Sequence, residues 1–179
     1  MKNHYSLKHN NECYTPAYAV EPLLEFMKPF FGKTIWCPFD TKNSEYVKVF
    51  KDYGFKVVHS HIEDGKNFMT YEPENWDILI SNPPFQNKRE TFERCLSFGK
   101  PFALLMTILW LNDKAPKQVF FEKDLQLLMF DERIEYTNIS REKINFSSAY
   151  YCWNFLPKQI IMRSLKENKD QLKLKIGDK

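Results

Sequence analysis

The sequence predicts a single-domain α/β fold: an open, mostly parallel sheet that ends in an antiparallel C-terminal hairpin. Three observations lead there. Short apolar runs alternate with segments of helical composition, the pattern of strand–helix–strand units. The run from Phe102 to Leu111 is almost continuously apolar, as in a strand buried on both faces. The extended segments near the C-terminus follow one another with no helix between them, which predicts an antiparallel pair at one edge.

Each element has a local cause. Thr15-Pro16 reads as an N-cap followed by proline at the first helical position, and Val20, Leu23, Leu24 and Met27 continue at helical spacing until Pro29 and Gly32. Thr34-Ile35-Trp36-Cys37 is a short strand cut off by Pro38. Ser44 is placed to cap a helix from Glu45 to Tyr53, with Gly54 just past its end. A second strand is expected from Phe55 to Ser60, then a polar loop around residues 63–67, then a strand from Asp77 to Ile80. Residues 88–98 have helical composition, 102–111 read as a strand, and 116–123 as a helix. Residues 125–130, 134–136 and 148–155 read as extended, with Pro157 as the stop.

With 179 residues, 43% of them hydrophobic and 16% aromatic, the chain suits one domain large enough for a sheet with covering helices. The domain is expected to span residues 1–157. Residues 158–179 form a basic segment, either poorly ordered or the last edge element. A net charge of +3 is too small to argue for nucleic acid by itself. Cys13, Cys37, Cys95 and Cys152 form no CxxC pair, so neither a zinc site nor a disulfide framework follows. His59 and His61 share a strand face, but with no third ligand nearby no metal centre is expected. Without a signal-like N-terminus or an apolar run long enough to span a bilayer, a cytoplasmic, reducing setting and no membrane partner are expected.

The chemistry is concentrated in Ser81-Asn82-Pro83-Pro84-Phe85, directly after the apolar run Ile78-Leu79-Ile80. Two prolines hold φ near about −65° and remove two N–H donors, which leaves backbone carbonyls as acceptors. The Asn82 side-chain oxygen adds another acceptor, and Phe85 offers a face for stacking a ring. Such a turn suits an enzyme that grips a flat exocyclic –NH₂ and leaves its lone pair free to attack. In open α/β sheets ligands sit beyond the carboxyl ends of the strands. Pro38-Phe39-Asp40, His59-Ser60-His61 and Asn82 to Phe85 all follow predicted strands, the last of them counted as the fourth of the series.

From residue 14 to 156 these features, in this order, resemble class I S-adenosylmethionine-dependent methyltransferases, in the amino-group branch that includes the adenine-N6 DNA methyltransferases. The resemblance implies a Rossmann-like domain with S-adenosyl-L-methionine as cofactor. Tyr14-Thr15-Pro16 is similar to the family's Thr-Pro element, which contacts the methionine end of the cofactor. Pro38-Phe39 is similar to the first half of its Pro-Phe-x-Gly-x-Gly cofactor loop, and Asn67-Phe68 to the Asp-Phe pair that contacts the cofactor's adenine. Asn82, Pro83, Pro84 and Phe85 match the catalytic motif. The implied reaction is direct displacement: Asn82 Oδ1 and the Pro83 carbonyl accept hydrogen bonds from the target amine, which attacks the sulfonium methyl in line. Phe85 then stacks on a base taken out of its helix. Ser81, Lys88 and Arg89 are the candidate substrate contacts, the last two toward phosphate. Arg133-Ile134-Glu135-Tyr136 and the strand from Ser148 to Phe155 resemble the family's closing hairpin.

The chain departs from the pattern in its cofactor half. Thr41 and Asn43 stand where the family has loop glycines, so the loop is expected to take another shape, with Asp40 holding the cofactor's amino group. His61 stands where an acid usually grips the ribose, with Glu63 and Asp64 just beyond; a histidine can accept one hydrogen bond from a ribose hydroxyl. The additional sequence-reading domain of adenine DNA methyltransferases is not evident, so specificity is either low or supplied by a partner. Two other functions use the same features: methylation of an RNA base amine, and a catalytically inactive methyltransferase-like module that binds nucleic acid or protein. Small methylases of this kind resemble those carried by phages.

Overall fold

The computed structural model describes residues 13–165. Seven strands form one sheet in the order β2-β1-β3-β4-β6-β5-β7. They are β1 (Thr34–Cys37), β2 (Lys56–His59), β3 (Ile78–Ser81), β4 (Phe102–Thr107), β5 (Gln126–Phe130), β6 (Ser148–Trp153) and β7 (Ile160–Arg163). Of these, β6 alone runs against its neighbours β4 and β5. The expected open α/β sheet is therefore present. Its antiparallel pair, however, is not the edge: β6 is inserted between β4 and β5, and β7 lies outside them, parallel to β5.

Period-two alternation divides the sheet into two apolar faces. Ile35, Cys37, Ile78, Ile80, Ala103, Leu105, Tyr150 and Cys152 face one way, against α1 (Ala17–Val20) and α2 (Glu45–Asp52). Trp36, Leu79, Phe102, Leu104, Met106 and Tyr151 face the other, against α3 (Lys88–Ser97) and α4 (Lys114–Val119). Both faces of the central strands are covered, which is why their sequences read as continuous apolar runs.

Several boundaries differ from expectation, each for a physical reason. The first helix begins at Ala17, with Pro16 in extended geometry as its N-cap and no side-chain cap. The Thr15 hydroxyl accepts from the Asn82 amide. Pro22 cannot donate to the carbonyl a turn behind it, and the helix continues from Glu21 to Phe26 in 3-10 form. The apolar run after Pro101 is strand only to Thr107, where its partner β6 begins at Ser148; the Thr107 hydroxyl then caps a 3-10 segment, Ile108–Asn112. Residues 134–136 form no strand. Ile134 and Tyr136 are buried, and the Glu135 N–H donates to the Tyr18 hydroxyl instead of to a ladder. The Asn82 turn follows the third strand in chain order, not the fourth.

The chain leaves β1 for β2 on one side, then crosses back to β3 on the other side and continues to β4. The strand order therefore reverses between β1 and β3, and the crevice beyond their carboxyl ends is where ligands bind in such sheets. Cys37-Pro38-Phe39-Asp40 and Ser81-Asn82-Pro83 open onto that crevice.

Candidate active site

A cavity of about 780 Å³ occupies the switch point. It is lined by Tyr14, Thr15 and Pro16 from the segment before α1, and by Pro38, Phe39, Asp40 and Asn43 from the β1 loop. His61, Asn67 and Phe68 line it from beyond β2, and Asn82, Pro83, Pro84 and Phe85 from beyond β3. The residues expected to hold the cofactor and those expected to act on the amine thus meet in one space.

Asn82 is held at both amide hydrogens. Its Nδ2 donates to the Cys13 carbonyl at 2.8 Å and to Thr15 Oγ1 at 3.1 Å. These bonds settle which end of the amide is nitrogen, and Oδ1 has no partner among the described residues. The segment carrying Cys13 and Thr15 is itself tied down. The Tyr14 N–H donates to Asn138 Oδ1 at 2.8 Å, and the Thr137 N–H donates to the Tyr14 carbonyl at 3.1 Å. Phe85 is half-buried and meets Phe146 edge-on, with ring centroids 5.5 Å apart at 80°.

The β1 loop is shaped without glycine. Neither Thr41 nor Asn43 has a positive φ. Instead Ser44 Oγ accepts from the Thr41 N–H at 3.1 Å, Thr41 Oγ1 accepts from the Asn43 N–H at 3.3 Å, and the Ser44 N–H closes the turn on the Thr41 carbonyl at 3.1 Å. Hydroxyl-to-backbone bonds replace the left-handed geometry glycine provides. Asp40 is buried at the floor of the cavity and accepts from the Ser81 hydroxyl. Its negative field adds to burial in holding the Cys37 thiol and the Tyr46 phenol well above their ordinary pKa values.

Two polar residues of the lining each commit one side-chain atom to nearby backbone. His61 Nδ1 accepts from the Glu63 N–H at 3.3 Å, which commits that ring nitrogen to the turn beyond β2. Asn67 is exposed, and its Oδ1 accepts from the Met69 N–H at 2.9 Å, which leaves Nδ2 to face a ligand. Phe39 and Phe68 pack at 4.8 Å and form an aromatic wall.

The three expected substrate contacts do not line the cavity. Ser81 is the last residue of β3, fully buried, with its hydroxyl committed to Asp40. Arg89 points along α3, bonded to Glu93 at 2.8 Å and to Gln118 at 3.3 Å. Lys88 is half-buried at the start of α3 and is likewise outside the lining. Gln86, Asn87 and Thr91 line it instead. Glu63 was missed as a cavity residue. It lies two residues past His61, and its carboxylate is largely exposed in the cavity. Its position was obscured because β2 stops at His59 and a 3-10 turn, Ile62–Asp64, moves the acid back toward the site. Among the described residues no group of three or more His, Cys, Asp or Glu side chains is placed to hold a metal ion, and no helix is long and apolar enough to cross a membrane.

A solved structure shares this architecture. It is a modification subunit ascribed to a type I restriction enzyme from Vibrio vulnificus YJ016, 11% identical, matched over 88% of this chain with a TM-score of 0.56. The fold is shared. This chain spans 48% of the length of that subunit. A predicted O-methyltransferase from Agrobacterium tumefaciens aligns at 8% identity over 73% of this chain and 66% of its own, with a TM-score of 0.35. No family model and no curated protein matches the sequence.

Proposed function

We propose that this protein transfers the methyl group of S-adenosyl-L-methionine to the exocyclic N6 amine of adenine in DNA. The observation that carries the reading is the commitment of both Asn82 amide hydrogens to the framework, which leaves Oδ1 as the unpaired acceptor of a residue that lines the cavity next to Pro83. A target –NH₂ that donates to both oxygens is held with its nitrogen lone pair directed away from them, toward the rest of the cavity. Phe85 supplies the stacking face for a base withdrawn from its duplex.

The cavity's other residues fit the cofactor chemically. Asp40 offers a buried carboxylate for an ammonium group, and Glu63 a carboxylate for a pair of ribose hydroxyls beside His61. Phe39 and Phe68 form the wall for an adenine ring, with Asn67 Nδ2 as donor to its edge. When bound, the cofactor supplies an electrophilic methyl on a sulfonium. Asn82 and Pro83 position the nucleophile, Phe85 fixes the plane of the base, and the aromatic walls exclude water. Sequence readout falls to groups outside the cavity, and we assign it to a partner protein or domain.

The test is transfer of label from radiolabelled S-adenosylmethionine to unmethylated duplex DNA, to tRNA and to a protein extract, with Asn82→Ala alongside. Label on DNA adenine that disappears in the variant is the expected result. Label on tRNA alone would replace DNA by RNA as substrate. No transfer to any acceptor, together with no thermal shift on adding cofactor, would leave a binding module in place of an enzyme.

A further inference from the structure

We propose that Arg94 is a positioning residue for the cofactor's adenine: from α3 it braces the turn that carries Asn67 and Phe68. This rests on the function proposed above, in which Asn67 and Phe68 receive that ring.

Phe68 lines the cavity, whereas Arg94 and Phe98 touch Phe68 without lining it, so they stand behind the wall. The Arg94 guanidinium carbon lies 4.8 Å from the centre of the Phe98 ring and 5.5 Å from that of Phe68. Its Nη2 donates to the Tyr71 carbonyl at 3.3 Å. Tyr71 in turn closes the loop on itself: its N–H donates to the Asn67 carbonyl at 2.7 Å, beside the Thr70 N–H at 3.0 Å. Arg94 therefore holds this turn at two points, the Phe68 ring and the Tyr71 backbone. Around Phe68 the residues Asn67, Met69 and Thr70 are exposed, so packing alone gives the turn little support.

The choice of arginine is costly for a side chain that only fills space. Arg94 is half-buried, and its Nε is buried with no hydrogen-bond partner among the described residues. An apolar side chain of similar length would pack there without that unpaired donor. It could not lie against two rings and hold a carbonyl at once, which takes a flat fork of donors. The placement on α3 adds a connection. Asn87 and Thr91 line the cavity, and Arg94 and Phe98 follow them at helical spacing on the same face. The start of α3 thus borders the catalytic turn, and its last turn supports the cofactor wall.

The experiment compares Arg94→Met and Arg94→Lys with the unaltered protein. The binding probes are S-adenosylhomocysteine, titrated by calorimetry, and adenosine, titrated by NMR. Arg94→Met is expected to weaken both by the same factor, roughly 5- to 20-fold, for the lost carbonyl bond and ring contacts. Arg94→Lys keeps the charge without the fork and is expected to lose less. In methyl transfer, KM for S-adenosylmethionine should rise in parallel, while kcat and KM for DNA stay within about twofold. A loss confined to S-adenosylhomocysteine, or an equal rise in KM for DNA, would overturn the proposal, since general loosening of the site produces either. A further readout needs no ligand: NMR hydrogen exchange at the Tyr71 amide. Exchange should be fastest in Arg94→Met, slowest in the unaltered protein and intermediate in Arg94→Lys. Unchanged exchange would overturn the brace whatever the affinities. If Arg94→Met does not fold, Arg94→Lys decides alone, and unchanged exchange and affinity there would overturn the proposal. Failure of the unaltered protein to bind either probe would instead overturn the proposed function, and exchange at Tyr71 would still decide the brace.

Discussion

The Ser81 hydroxyl donates to Asp40 Oδ2 and so ties the carboxyl end of β3 to that of β1 at the switch point of the sheet. Both residues are buried, and a buried carboxylate needs donors to remain charged. Ser81→Ala removes one donor and is expected to lower unfolding stability by about 1–3 kcal/mol, read as a fall in the urea midpoint with unchanged slope. Asp40→Asn keeps an acceptor for Ser81 and deletes the charge. If Asp40 receives the cofactor's ammonium group, this variant should weaken S-adenosylmethionine binding roughly tenfold or more by calorimetry, with a smaller effect on stability than Ser81→Ala.

Phe85 tests the stacking half of the site. Its ring leans edge-on against Phe146, and Phe146 packs on Tyr136 at 6.0 Å, so the platform is braced from behind. Phe85→Ala is expected to lower kcat/KM for DNA by roughly 5- to 150-fold, the range for loss of one base–aromatic stack. Phe85→Tyr keeps the ring and should stay within a fewfold of the unaltered protein. Because Phe85 is half-exposed, the thermal midpoint of Phe85→Ala should move little, which separates lost stacking from lost fold.

Stability should fall at alkaline pH. Burial raises the Cys13 thiol from 9.0 to about 11 and pushes those of Cys37, Cys95 and Cys152 up as well. The phenols of Tyr46 and Tyr150 are raised for the same reason. A group whose folded pKa is raised binds its proton more tightly in the folded state. Its contribution is complete below the unfolded pKa and is lost as pH rises through the folded one. For Cys13 that window runs from pH 9 to about 11. The urea midpoint should therefore decline across it, and Cys13→Ser should flatten part of that decline.

Much of the site was legible because strand ends, turn-forming residues and apolar periodicity are local properties. Pro38 ends β1, Asn82-Pro83 ends β3, and the carboxyl-end rule places the two together. What escaped depended on partners distant in sequence. Ser81 read as a turn residue, but β3 continues one residue farther and carries its hydroxyl into the interior, where Asp40 waits. Tyr46 and Tyr150 stand at apolar-periodic positions and read as core; their hydroxyl bond joins residues 104 apart. Residues 160–163 hold only three apolar side chains, and their strand exists because β5 presents an edge to pair with. The run after Pro101 was overextended because apolar character persists past the point where β6 stops supplying a ladder. Asn67 and His61 line the cavity, but one side-chain atom of each is committed to the Met69 and Glu63 amides, which sequence alone does not orient.

The last prediction concerns the glycine-free loop. If Thr41 and Asn43 were merely decayed glycine positions, restoring glycine should improve the site. The geometry argues the reverse. Thr41 has no positive φ, so the freedom glycine brings is not used in the folded chain and only enlarges the unfolded ensemble. Thr41 also contributes its hydroxyl to the Asn43 N–H at 3.3 Å, and its own N–H is held by Ser44 Oγ at 3.1 Å. Thr41→Gly deletes the first of these bonds and loosens the backbone beside Asp40. It is expected to lower stability by about 0.5–1 kcal/mol and to weaken cofactor binding, not strengthen it. Calorimetric titration of S-adenosylmethionine into Thr41→Gly and the unaltered protein decides the matter: tighter binding by the glycine variant would mean that the loop is a relic, and weaker binding that hydroxyl-to-backbone bonds are its working design.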